Sequence, residues 1–266
     1  MGDLVRDLEA DSEELIETHI SWVFLRAHEV FKVKKPVNFG FLDFSELGAR
    51  RRACDAEVAL NGRLAAGVYL GVVPVTRDGR GAHAIGGTGQ VVDYAVHMKR
   101  LPRAARADLL LERGQLTPGQ LDALAERLAR FHASLEPSPG IAQFGRVEAI
   151  LENVKENFAQ ASSLLRELAP EGAEREVEAR QLGFLATNQV IFEARVRAGR
   201  VRDGHGDLRL EHVYLIDGAE PVIIDCIEFN ERFRYADVCA DIAFLSMDIG
   251  WHGRPDYKER FLAAYA

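Results

Sequence analysis

Hydrophobic and polar positions change period twice along this chain. From Leu4 to Glu17 apolar residues recur among acids at helical spacing, with Asp11-Ser12 as a break or cap. Short apolar runs follow. Ile20–Leu25 and Glu29–Lys34 read as two strands joined by Arg26-Ala27-His28, and Val68–Val75 and Val91–Met98 read as two more. Between the first and second pairs, Ala49–Leu64 carries Ala53, Ala56, Leu60 and Leu64 on one helical face. Gly86-Gly87-Thr88-Gly89 has no following Lys-Ser/Thr and no helix after it, so it reads as a hairpin turn rather than a phosphate loop.

From Pro102 the period becomes helical. Thr117-Pro118-Gly119-Gln120 is a cap opening a helix from Leu121 to Leu135, striped by Leu121, Leu124, Leu128 and Phe131. Val147–Leu168 and Arg175–Arg200 read as two long amphipathic helices separated by Pro170-Glu171-Gly172. A small hairpin comes next, Tyr214-Leu215-Ile216 and Val222-Ile223-Ile224 around the turn signal Asp217-Gly218. Helical patterns from Val238 to Met247 and from Tyr257 to Ala266 close the chain. Strands early and helices late predict an α+β fold.

Composition narrows the classes. Hydrophobic residues make up 47% and charged residues 28%, as in an ordinary globular protein. A net charge of −8, with no dense basic run beyond Lys32-Val33-Lys34-Lys35 and Ala49-Arg50-Arg51-Arg52, argues against non-specific nucleic-acid binding. Three cysteines without metal-like spacing fit a reduced, cytoplasmic setting, and no apolar run reaches membrane-spanning length.

The chemistry concentrates in His205-Gly206-Asp207-Leu208-Arg209-Leu210-Glu211-His212 and in Ile223-Ile224-Asp225-Cys226-Ile227-Glu228. The two ends of one hairpin then carry two carboxylates, Asp207 in a loop and Asp225 at the end of a buried strand. That is the layout of a phosphoryl-transfer site. One Asp orients and deprotonates a hydroxyl, and the other holds the magnesium on nucleotide phosphates. Lys32 and Lys34 share one face of their strand, because side chains alternate. Lys32 is the favoured phosphate contact; an edge strand protected by lysines is the plainer alternative.

These stretches resemble the HGDxHxxN and IDxE signatures of the aminoglycoside phosphotransferase-like (choline-kinase-like) small-molecule kinases. The resemblance covers most of the chain. It is strongest to the kinase-like half of bifunctional proteins that carry a second, P-loop ATP-binding domain. It implies a bilobal, protein-kinase-like α+β fold, with a nucleotide-binding N-lobe over residues 1–101 and a helical C-lobe over 102–266. It implies Asp207 as the catalytic base and Lys32, oriented by Glu57, as the phosphate contact. Ser21, in a glycine-free Thr18-His19-Ile20-Ser21 loop, would contact the nucleotide by its hydroxyl. Met98 would flank the adenine, and the backbone from Lys99 through Arg100 to Leu101 would read it. Asp225 and His212 would hold Mg2+, and Asp241 would brace the catalytic loop.

Two residues depart from the pattern. His212 stands where the family has a metal-binding Asn, and Arg209 where it often has a second His. An amide oxygen suits magnesium, whereas an imidazole nitrogen suits later divalent ions such as manganese, cobalt or zinc, so His212 is either a direct ligand or a hydrogen-bond partner of phosphate or water. Glu228 follows Asp225 by three residues, where family members commonly place an acid two residues on.

The expected reaction moves the γ-phosphoryl group of ATP to a hydroxyl of a small molecule such as a sugar, an aminoglycoside or an amino alcohol. The rivals are a regulatory pseudokinase that binds nucleotide without turnover, and an interaction domain without nucleotide. The unfinished helical pattern at Ala266 further predicts a C-lobe continued in a longer protein.

Overall fold

The computed structural model describes residues 2–266. In chain order the elements are α1 (Gly2–Glu9), β1 (Glu14–Glu17), β2 (Ser21–Leu25), β3 (Glu29–Lys34), α2 (Leu47–Asn61), β4 (Tyr69–Arg77), β5 (His83–Ile85), β6 (Gln90–Lys99), α3 (Ala107–Glu112) and α4 (Pro118–Ser134). They continue with α5 (Pro139–Ala142), α6 (Val147–Leu168), α7 (Ala173–Thr187), α8 (Gln189–Arg197), β7 (Val201–Asp203), β8 (Val213–Tyr214), β9 (Val222–Ile223), β10 (Tyr235–Asp237), α9 (Cys239–Trp251) and α10 (Pro255–Tyr265). The fold is α+β, as the sequence pattern predicts.

The chain divides into two compact units. The first comprises Met1–Phe131, Asp207–Asn230 and Phe244–Ala266, and the second His132–Gly206 and Glu231–Ala243.

In the first unit six strands form one sheet in the order β1-β2-β3-β6-β4-β5, with every neighbouring pair antiparallel. Alternation gives this sheet two buried faces. Phe24, Phe31, Val33, Val75 and Ala95 pack on one side with Leu4 and Leu8 of α1. Val30, Val96 and Met98 pack on the other with Cys54 of α2. A buried ion pair ties α2 to the sheet: Arg50 Nε lies 2.9 Å from Asp93 Oδ1 on β6, and its Nη1 donates to the carbonyls of Phe44 and Ser45. The helix that carries Glu57 is thereby fixed against β6.

Two expectations about local structure need correction. Glu14–Glu17 is not helical but an edge strand in register with β2. The chain turns at Ser12, whose hydroxyl donates to the Leu8 carbonyl and ends α1. Four residues with acids at both ends carry too little period to betray an edge strand.

The single helix expected over Arg175–Arg200 is also two. Asn188 leaves helical backbone at φ −116°, ψ 19°, and both its amide and its side chain donate to the Phe184 carbonyl, capping α7 before α8 begins. By contrast, the Thr117 cap closes a reciprocal box, with Gln120 N donating to Thr117 Oγ1 and Gln120 Oε1 accepting from Thr117 N.

The second unit is mainly helical, built on α6, α7 and α8 with the short antiparallel pair β7–β10. Among the described residues no helix is long and apolar enough to cross a membrane.

Candidate active site

The period of two on β3 sends Phe31 and Val33 to the α1 side, and Lys32 and Lys34 to the opposite face. Glu57 of α2 is fully buried and receives both lysines. Lys32 Nζ lies 2.9 Å from its Oε1, while Lys34 pairs with its Oε2. Lys32 also reaches Asp225 Oδ1 at 2.7 Å, and Lys34 pairs with Glu228. One buried glutamate thus bridges two ammonium groups, and each ammonium has a second carboxylate of its own.

The electrostatics follow from this crowding. Burial works against the Lys32 charge, but Asp225, Glu57 and Glu228 outweigh it and hold its ammonium well above the usual lysine range. Burial likewise opposes the Asp225 charge, yet Lys32 and then His212 hold its carboxyl well below the usual carboxylate range. Glu57 is lowered against its own burial by Lys32 and Lys34. Glu228 goes the other way: burial raises it, and Lys34 only partly offsets that.

Asp225 sits at φ +65°, a left-handed conformation unusual for any residue but glycine and best tolerated by Asp and Asn. Three bonds hold this turn. Ile224 N donates to the His212 carbonyl, Asp225 N to Tyr69 Oη at 3.3 Å, and Cys226 N to Asn61 Oδ1 at 2.9 Å. Asn61 Nδ2 donates in turn to the Glu57 carbonyl, so one side chain links the two acids' backbones. Sequence reasoning missed Tyr69 and Asn61, because neither lies within a motif.

The Asp207 loop is anchored by the fully buried Leu208 and Leu210, and by Leu210 N donating to Asp248 Oδ2 at 2.8 Å. Arg209 Nε lies 3.2 Å from Asp207 Oδ1, and its Nη1 lies 2.6 Å from Glu211 Oε1. The hairpin pairs Val213 with Ile223 and Tyr214 with Val222, bringing the two ends together.

His212 is buried, and its ring geometry fixes the tautomer. Nδ1 stands 2.8 Å from the Asp207 carbonyl, which can only accept, so Nδ1 carries the hydrogen. Nε2, which carries the lone pair when the ring is neutral, then stands 3.5 Å from Asp225 Oδ2. With the imidazole neutral, Nε2 and the Asp225 carboxylate are two electron-pair donors that fit a divalent cation. No cluster of three or more His, Cys, Asp or Glu that could hold a metal ion occurs among the described residues. The pair therefore suits an ion that brings phosphate and water oxygens of its own.

A cavity of about 520 Å³ within the first unit is lined by Lys32, Glu57, Asp207, Arg209, Asp225 and Met98, among others. Lys34 and Ser21 are fully buried and lie outside its lining. Thr18, His19 and Ile20 line it instead of Ser21, and Thr18 Oγ1 accepts from Ser21 N. Lys99, Arg100 and Leu101 also line it. The amides of Lys99 and Arg100 donate to the carbonyls of Val68 and His28, and the Arg100 guanidinium reaches Glu13 and the Arg26 carbonyl.

In the second unit, Asp241 is nearly fully buried, and its carboxylate accepts from the amides of His205 and Gly206 at 2.8 and 2.9 Å. His132 Nε2 lies 3.2 Å from the same carboxylate. Burial would raise this carboxyl, but His132 and His205 hold it below its ordinary value.

Asp241→Asn is expected to destabilise the protein by about 2–4 kcal/mol at pH 7. The depressed group contributes fully above the unfolded value of about 3.9 and loses that contribution as pH falls through its folded value. Urea midpoints should therefore differ clearly at pH 7 and converge towards pH 3; an equal gap at both would contradict this account.

Comparison with known proteins adds three findings. The model of the family described as "Phosphotransferase enzyme family" matches residues 28–266. Curated relatives include uncharacterised proteins of Mycobacterium tuberculosis and Mycobacterium bovis, each 37% identical over 250 residues and matched across 94% of this chain. The match spans 48% of those relatives, so this chain covers about half their length.

Among solved structures, a GDP and kanamycin complex of an APH(2'') protein is 15% identical over 98% of this chain and 81% of that chain, with a TM-score of 0.49. A choline/ethanolamine kinase family protein from Mesorhizobium loti is 15% identical over 95% of this chain and 68% of that one, with a TM-score of 0.48.

Proposed function

This chain belongs to the phosphotransferase enzyme family, and from that premise we propose that it moves the γ-phosphoryl group of ATP to a hydroxyl of a small molecule. The observation that carries the reading is the convergence of Asp207, Asp225 and the Lys32–Glu57 pair on one cavity. In this reading Asp207 positions the hydroxyl and takes its proton. The acceptor oxygen forms its bond to phosphorus as the bond to the departing ADP oxygen breaks. Lys32 neutralises phosphate charge, and Glu57 holds it in place. Asp225 and His212 would hold the nucleotide's divalent ion, which supplies charge neutralisation on the phosphates. Met98, near the Lys99–Leu101 segment, would flank the base. A covalently linked P-loop domain and a cytoplasmic setting belong to the same proposal, the former supported by relatives about twice this length.

Thermal denaturation with ATP and magnesium tests the reading. Ligand that binds only the folded state raises the midpoint, by about 2.7 kcal/mol of stability at a hundredfold excess over Kd. An unchanged midpoint at millimolar nucleotide would overturn it.

His212 sharpens the metal side. With Nε2 facing Asp225, manganese is expected to support turnover at least as well as magnesium, because imidazole nitrogen suits the later ion better. His212→Asn should move the preference towards magnesium by about threefold or more. Identical metal preferences in the two proteins would rule out direct ligation.

A further inference from the structure

Arg209 stands two residues beyond Asp207 and lines the same cavity. Its Nη1 is held by Glu211, which lies outside the lining. The opposite edge, Nε and Nη2, faces the Asp207 carboxylate at 3.2 and 3.5 Å. With that edge an arginine grips a carboxylate or phosphate through two parallel bonds, at about 2.7–2.9 Å. Here the spacing is longer, and the buried Nε has no hydrogen-bond partner. The guanidinium is positioned beside the base without closing a full fork on it.

Charge around the cavity points the same way. Four carboxylates and four Lys or Arg side chains line it, so it lacks the acid surplus that draws a polycation. A hydroxyl within about 3 Å of Asp207 would also sit within roughly 6–7 Å of the guanidinium, where a cationic neighbour is repelled.

We propose that Arg209 is a specificity-determining residue that binds a carboxylate or phosphate carried by the acceptor close to its reacting hydroxyl. The substrate class is then hydroxy acids and sugar phosphates, not aminoglycosides or amino alcohols. The inference rests on the phosphotransferase reading of this cavity. On docking, the acceptor's anion takes the Nε–Nη2 edge, and the Asp207 carboxylate turns from the guanidinium to the hydroxyl.

The test is equilibrium binding by calorimetry to the full chain with a non-hydrolysable ATP analogue and magnesium. The ligands are gluconate, glucose 6-phosphate, glucose and kanamycin. At least one anion is expected to bind about tenfold or more tighter than glucose, with kanamycin weakest; the tighter anion tells carboxylate from phosphate. In Arg209→Ala the ratio of anion to glucose affinity should fall to about one. Arg209→Lys, which keeps the charge but not the fork, should retain part of it.

Tighter binding of kanamycin, no anion advantage among the four, or equal losses for all ligands in Arg209→Ala would each overturn this assignment alone. Failure of the wild-type chain to bind the nucleotide analogue would instead overturn the phosphotransferase reading, and the inference with it.

Discussion

Asp207→Asn is expected to lower turnover about 10³–10⁴-fold while nucleotide affinity stays within a few-fold. Its carboxylate faces Arg209, whereas the Lys32 ammonium that fits nucleotide phosphates pairs with Asp225 and Glu57 on the same cavity. The amide keeps the size of the side chain but cannot take the proton. The loop should hold its shape, because Leu208, Leu210 and the Leu210 N–Asp248 bond anchor it and an amide keeps the Asp207 side chain's size. Rate and nucleotide affinity measured on the same preparation separate the two effects. Turnover within tenfold of wild type would remove Asp207 as the base.

Asp225→Asn should act on both quantities, weakening metal-nucleotide binding and lowering turnover by about 10²–10³-fold. Asparagine is the informative replacement because it tolerates the left-handed backbone at φ +65°, where alanine would add strain of its own. In the variant the Lys32 ammonium keeps an oxygen acceptor but loses the charge of its 2.7 Å partner, and it keeps Glu57. The negative charge that faces His212 Nε2 disappears with it. Nucleotide titration at several magnesium concentrations should show affinity that no longer responds to the metal. A metal response equal to wild type would exclude Asp225 from that role.

Much of this arrangement was legible in the residues. Strand β3 was readable over its full length, because Phe31 and Val33 alternate with Lys32 and Lys34 and the turn before the strand is short. The α+β order of elements was readable for the same reason. Of the contacts between distant segments, the resemblance supplied Lys32 with Glu57 and Asp241 with the catalytic loop, and the others were not legible. Nothing in the sequence says that Glu57 bridges two lysines, that Glu228 answers Lys34, or that Tyr69 and Asn61 hold the Asp225 turn. Those pairings join segments far apart in sequence and leave no local period. The edge strand β1 and the break at Asn188 were hidden differently: one is too short to carry a pattern, and the other rests on a single non-helical residue inside a continuous helical period.

The most direct measurement is phosphorus NMR of the full chain incubated with ATP, magnesium and hydroxyl acceptors of anionic, neutral and cationic type. The expected result is loss of the γ-phosphoryl signal, with ADP and a new phosphomonoester appearing in equal amounts, and neither forming with Asp207→Asn. ATP converted to ADP and inorganic phosphate alone, or the same ester formed at the same rate by Asp207→Asn, would contradict the account.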